Sequence, residues 1–276
     1  MQKTVRTEVS ASGLGLFTGE KVSLKIRPAP PDSGIVFQRV DLPGKPEIPA
    51  RLSFVREAPR CTRLATEKAS IHMVEHLLSA LSGMEIDNAK IEVDGPEILA
   101  ADGSAQLFVD LLQTAGLEEQ GVPVRCLKIS KPLYWSEGDI HLVALPADEF
   151  RLSYTLHYPQ SSLIGSQYYT ISLSPERFKK EIAPCRTFSL YEEILPFIEK
   201  GIIKGGGLEN ALVIKGEEIM NPGGARFPDE AVRHKVLDLA GDFALIGPIL
   251  GHIISIRSGH LSNIAFAKRI ANLEKR

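Results

Sequence analysis

Apolar and polar positions alternate early in the chain. In Lys21-Val22-Ser23-Leu24-Lys25-Ile26-Arg27 the Val, Leu and Ile fall on one side and the charge on the other, which predicts a half-buried strand. Residues 34–40 predict a second strand, and Pro and Gly clusters at 28–31 and 43–44 punctuate both. Apolar positions 71, 74, 77, 78 and 81 keep helical spacing, so a helix is expected over 71–81. Residues 88–93 predict another strand. Residues 104–115 predict a second helix, with Leu107, Phe108, Leu111 and Leu112 on its inner face and Ser104 as its N-cap.

The same order recurs further along. Strands are expected at 124–129, 141–144 and 150–156, then helices near 175–182 and 190–200. A strand at 211–214, a long helix at 229–246, a strand at 253–256 and a helix at 263–273 follow. The chain therefore reads as α+β in two similar halves, each with several strands and two main helices. A Glu, Gln and Gly stretch at 118–123 separates them, giving a first domain at 1–121 and a second at 122–276. The segments His76-Leu77-Leu78-Ser79-Ala80-Leu81-Ser82-Gly83 and His234-Lys235-Val236-Leu237-Asp238-Leu239-Ala240-Gly241 echo each other, as a duplication would leave them.

Composition narrows the function. The 276 residues are 43% hydrophobic and 24% charged, ordinary values for a soluble globular protein. A net charge of -2 with dispersed Lys and Arg excludes a nucleic-acid binder. The N-terminus lacks the apolar core of a signal peptide. The longest apolar run, 243–256, is broken by Gly247, Pro248, Gly251 and His252 and is too short to span a bilayer. Three distant cysteines, Cys61, Cys126 and Cys185, fit inert thiols in a reducing compartment. A cytoplasmic protein is expected.

The candidate chemistry lies among the seven histidines. His141 and His157 sit in strand-like stretches, His252 lies in the apolar run before Ile253, and all three are expected to be structural. His234 and Asp238 are four positions apart on the predicted long helix, so they share a face and offer two ligands to one metal ion. Glu75-His76 has the form used by zinc peptidases, a ligand histidine beside a carboxylate that reaches water. Two assemblies fit these residues. In one, His72-x-x-Glu75-His76 is an inverted zinc-peptidase pattern and a later Glu completes the site. In the other, His76 joins His234 and Asp238, leaving the fourth position open as a catalytic zinc requires. Lys235 then offers a cation to a developing oxyanion. His260, in Arg257-Ser258-Gly259-His260 after a strand, offers a proton to a leaving amine, with Asp242 to orient it. A third reading is a nucleotide-sugar or lipid-binding module with no catalysis.

Four segments occur in fixed order: Val74-Glu75-His76-Leu77, Cys185-Arg186-Thr187-Phe188, Arg226-Phe227-x-Asp229-Glu230-x-Val232-Arg233-His234-Lys235-x-x-Asp238 and Ser258-Gly259-His260. With residues 13–19, 27–30, 87–88 and 102–105, they resemble the UDP-3-O-acyl-N-acetylglucosamine deacetylases of lipid A synthesis, over about residues 2–270. The resemblance implies a zinc amidase, with helices packed between two sheets and the site where the halves meet. It implies zinc, or ferrous iron in the cell, on His76, His234 and Asp238. Glu75 becomes the general base and His260 the general acid positioned by Asp242. Lys235 and Thr187 stabilise the oxyanion, Phe188 lines the sugar pocket and Tyr158 stacks on uracil. It also implies an inserted acyl passage, placed at 190–216; the apolar surface of that segment allows at most peripheral membrane contact. Monomer is the default state. Phe17 departs from the pattern, since many relatives carry histidine there.

Overall fold

The computed structural model describes residues 1–273. The first sheet contains β1 (Val9–Leu14), β2 (Lys21–Pro28), β3 (Ile35–Arg39), β4 (Glu47–Pro49) and β5 (Ala89–Val93). They lie side by side in the order β1-β2-β5-β3-β4. All neighbours are antiparallel except β5 and β3, which run parallel. As the alternation predicts, Val22, Leu24 and Ile26 are buried on one face of β2. Leu24 lies opposite Val93, and Ile26 opposite Ile91, so the register aligns two apolar stripes.

The second large sheet contains β6 (Leu133–Glu137), β7 (Ile140–Leu145), β8 (Phe150–Tyr158), β9 (Gly165–Ser172) and β10 (Ile249–Ile256). Its order is β6-β7-β10-β8-β9, with the short strand Leu127–Lys128 added to β10. Along this order too, every neighbouring pair is antiparallel except one, the parallel pair β10 and β8. Strand order and strand sense therefore repeat between the two sheets. β10 is twice the expected length because it is central and paired on both sides. The edge strands β1 and β9 are absent from the hydrophobic pattern, since their half-exposed residues are mostly small or polar.

Among the described residues the longer helices completing the frame are α1 (Glu75–Gly83), α2 (Gln106–Ala115), α3 (Tyr191–Glu199), α4 (Glu230–Phe243) and α5 (His260–Leu273). The whole is an α+β fold of mixed sheets with helices packed around them. α1 and α4 are buried along most of their length and pack against each other. Gly241 makes that approach possible: a Cβ there would lie 2.1 Å from the Glu75 carbonyl oxygen. Among the described residues, no helix is long and apolar enough to cross a membrane.

α1 begins four residues later than the apolar spacing predicts. Ser70–Ile71 is a strand and Met73 has a left-handed φ of 62°, which no α-helix accommodates. His72 pairs by its backbone with the strand-like segment at Pro96–Ile98, donating to Pro96 O and accepting from Ile98 N–H. The spacing of His72 and His76 is therefore not helical. The expected helix near 175–182 is a short turn at Pro175–Arg177 running into a wider π turn at Phe178–Ile182, and the strand expected at 124–129 shrinks to Leu127–Lys128.

Candidate metal centre

The first turn of α1 carries Glu75 and His76, and α4 carries His234, Lys235, Asp238 and Asp242 on successive turns. Because the helices meet at Gly241, these two sets face each other. His76, His234 and Asp238 are all buried, and their ligand atoms lie within 4.8 Å of one another. The Asp238 Oδ1 atom is 3.7 Å from His76 Nε2 and 3.4 Å from His234 Nε2. The two imidazoles meet edge to face, with centroids 5.0 Å apart.

Each of the three groups is in the state a metal ion requires. Burial and then the neighbouring His234 push His76 down to about 3, so it is neutral at physiological pH. Burial lowers His234 as well. His234 Nδ1 lies 3.0 Å from the Cys185 carbonyl oxygen, and donating to it leaves the Nε2 lone pair facing the cluster. Burial opposes the Asp238 charge, but Lys235 and then His234 hold its carboxyl far below the usual range. Asp238 Oδ2 accepts from Lys235 Nζ at 2.6 Å, while buried Oδ1 has no hydrogen-bond donor. Two neutral imidazoles and an unpaired buried carboxylate oxygen turned toward one point form an electron-rich pocket that a cation completes. The cluster is positioned to coordinate a divalent metal such as zinc.

Around it the titratable side chains of Glu75, His260 and Asp242 are held in series. Glu75 Oε2 accepts from the Thr62 backbone N–H at 3.0 Å, and Oε1 lies 4.0 Å from His260 Nε2. Burial pushes the Glu75 carboxyl up to about 7. His260 opens α5, directly after β10, and its Nδ1 is 2.9 Å from Asp242 Oδ2. Burial opposes the imidazolium, but Asp242 and then Asp238 carry it up to about 10. The turn before His260 is fixed from two sides. The Tyr154 hydroxyl donates to Ser258 O, and Asn263 bridges the Ser258 hydroxyl and Asp242 Oδ2. Sequence motifs do not single out Thr62 or Tyr154, whose partners Asp242 and Ser258 lie 180 and 104 positions away, nor Asn263, whose partners carry no recognisable spacing.

The Cys185-Arg186-Thr187-Phe188 segment is anchored by Arg186. Its side chain and backbone N–H groups converge on Glu230, at the start of α4. Thr187 is pinned by its backbone, donating to Gly103 O and accepting from Leu212 N–H. Phe188 meets Tyr158 edge to face at 5.7 Å, so those two candidates are brought together. The Tyr158 hydroxyl donates to Glu193 of α3 at 2.6 Å. Glu193 is also 3.7 Å from the Arg60 guanidinium, which lies over the Phe197 ring.

The other expectations sort clearly. His72 is outside the metal cluster, its ring edge-on to Phe17 at 6.3 Å. The left-handed Met73 that ends its helical relation to His76 removes the basis of the inverted peptidase pattern. His252 lies 2.8 Å from the Ser153 hydroxyl within the second sheet, a structural place. Cys61 and Cys185 are buried free thiols, and burial raises both, Cys61 to about 12.

The chain as a whole is similar to known proteins. The family model for UDP-3-O-acyl N-acetylglycosamine deacetylase matches residues 2–272. A UDP-3-O-acyl-N-acetylglucosamine deacetylase of Chlamydia pneumoniae is 47% identical over 271 residues, covering 98% of this chain and 96% of the relative. Its counterpart in Chlamydia abortus is 46% identical, with 98% and 96% covered. That of Chlamydia muridarum is also 46% identical, with 98% and 94% covered. The chain belongs to the UDP-3-O-acyl N-acetylglycosamine deacetylase family.

Proposed function

We propose that this chain removes the N-acetyl group of UDP-3-O-(3-hydroxyacyl)-N-acetylglucosamine, giving acetate and the free amine, the committed step of lipid A biosynthesis. The observation that carries this reading is Asp238 Oδ1, buried without a donor between His76 and His234, in a chain of the deacetylase family. Zinc held by His76, His234 and Asp238 would supply a Lewis acid at the amide carbonyl and water acidic enough to attack near neutral pH.

The residues of the chain take the remaining roles. Glu75 is the general base, accepting a proton from the attacking water; a carboxyl raised toward neutrality suits that task. His260 is the general acid for the leaving amine, and Asp242 fixes its ring and favours its charged form. Lys235 and Thr187 serve the developing oxyanion. Lys235 is held charged, burial notwithstanding, by Asp238. Phe188 lines the sugar pocket and Tyr158 stacks on the uracil.

Residues 190–216 form the acyl passage. In support, α3 buries none of its residues, and Ile198 and Ile202 keep 45% and 42% of their surface exposed. The same apolar surface allows peripheral contact with a membrane. The repeated strand order supports two similar domains, 1–121 and 122–276, with the helices between the two sheets and the metal where they meet. A cytoplasmic monomer completes the proposal.

Metal analysis of the purified chain joined to an acetate-release assay on the UDP-sugar tests the reading. Bound divalent metal and acetate release are expected. Substrate binding without release would leave a silent binding module, and absence of both metal and release after zinc addition would sink the proposal.

A further inference from the structure

We infer that Thr62 is a positioning residue that keeps the base and the acid of the reaction in register. The inference rests on the roles given above to Glu75, Asp242 and His260. Thr62 is buried just before the strand Arg63–Ala65, which is paired on both sides, to Val55–Arg56 and to Ser70–Ile71. Its backbone N–H donates to Glu75 Oε2 at 3.0 Å. Its hydroxyl donates to Asp242 Oδ1 at 2.6 Å. Its carbonyl accepts from Val74 N–H, one residue before α1.

The division of labour at Asp242 gives these contacts their meaning. Asp242 is fully buried, and its Oδ2 already serves His260 Nδ1 and Asn263 Nδ2. Thr62 alone among the described residues donates to Oδ1. Its hydroxyl therefore sets the rotation of the carboxylate, and that rotation aims Oδ2 at His260. The same residue aims Oε1 of Glu75 toward His260 by holding Oε2. A single amino acid thus ties both proton-handling groups to one rigid strand.

A packing role makes the opposite prediction. Valine keeps the shape of threonine and loses the hydroxyl; serine keeps the hydroxyl and loses the methyl group. The full-length zinc-loaded chain, Thr62→Val, Thr62→Ser, Asp242→Asn and the Thr62→Val/Asp242→Asn pair are compared by kcat, KM and zinc content. Thr62→Val is expected to lower kcat by about ten- to a hundredfold, with KM changed by no more than about twofold. Thr62→Ser is expected to stay within about threefold of the parent, and the paired variant to be no slower than Asp242→Asn alone. A Thr62→Val chain as fast as Thr62→Ser, or losses that multiply in the pair, would overturn the inference. If Thr62→Val fails to fold, Thr62→Ala against Thr62→Ser makes the same comparison, and equal rates overturn it. A parent chain that holds zinc and releases no acetate overturns the functional reading itself, and this inference with it.

Discussion

His260 and Asp242 meet across 2.9 Å, one at the first position of α5 and the other in the last turn of α4. The contact gives an imidazole that burial alone would discharge a charge that persists well above neutrality. Rate should therefore depend on pH as a bell. The basic limb follows loss of the His260 proton near about 10. The acidic limb follows protonation of Glu75, below about 7 once a cation sits beside it. Because Asp242 raises His260, Asp242→Asn should move the basic limb to lower pH. A kcat/KM profile from pH 5 to 11 checks both limbs, and an unmoved basic limb in the variant would refute the pairing.

Metal retention separates His72 from Asp238. Asp238→Ala removes the shared oxygen at the centre of the cluster, so bound metal should fall from about one per chain to a small fraction. His72→Ala removes a ring that lies outside the cluster, edge-on to Phe17, and should keep its metal. Elemental analysis of both variants after dialysis gives the answer.

Glu75 should matter for rate and little for metal. Its carboxylate faces His260 and Thr62, and the ligand set does not include it. Glu75→Gln is expected to reduce kcat by about a hundred- to ten-thousandfold while metal content is unchanged. Loss of metal in this variant would contradict its role as a base.

Glu230 carries stability. It accepts hydrogen bonds from Arg186 N, Nε and Nη2 and from Arg226 N, all at the start of α4. Glu230→Ala should cost about 3–5 kcal/mol by leaving buried Arg186 unpaired. Burial opposes the Glu230 charge, but Arg186 outweighs it and holds the carboxyl below its ordinary value. Its contribution is thus complete above the ordinary carboxylate range and fades as pH falls through the depressed value. Denaturant unfolding at neutral and acid pH measures both effects; the gap between parent and variant should narrow in acid.

Much of this site was legible in the sequence because its residues sit on helices whose period is known. His234 and Asp238 could be placed on one face from their spacing alone, and the buried stripe of β2 could be named residue by residue. His72 misled for the same reason: apolar spacing continued through Met73, and nothing in a methionine announces a left-handed backbone. Thr62 was invisible, since the partner that defines it is 180 positions away. The edge strands β1 and β9 left no apolar stripe to read.

Gly241 sets a distance on which the metal depends. The single hydrogen at this position, three residues along α4 from the ligand Asp238, lets the backbone of α4 rest against the carbonyl of Glu75, the residue before the ligand His76. The bite of the ligand set is thus gauged by main chain against main chain, a spacer far stiffer than any side chain. Adding one methyl group there would act as a wedge, opening the jaws that hold the ion while leaving every ligand in the sequence intact.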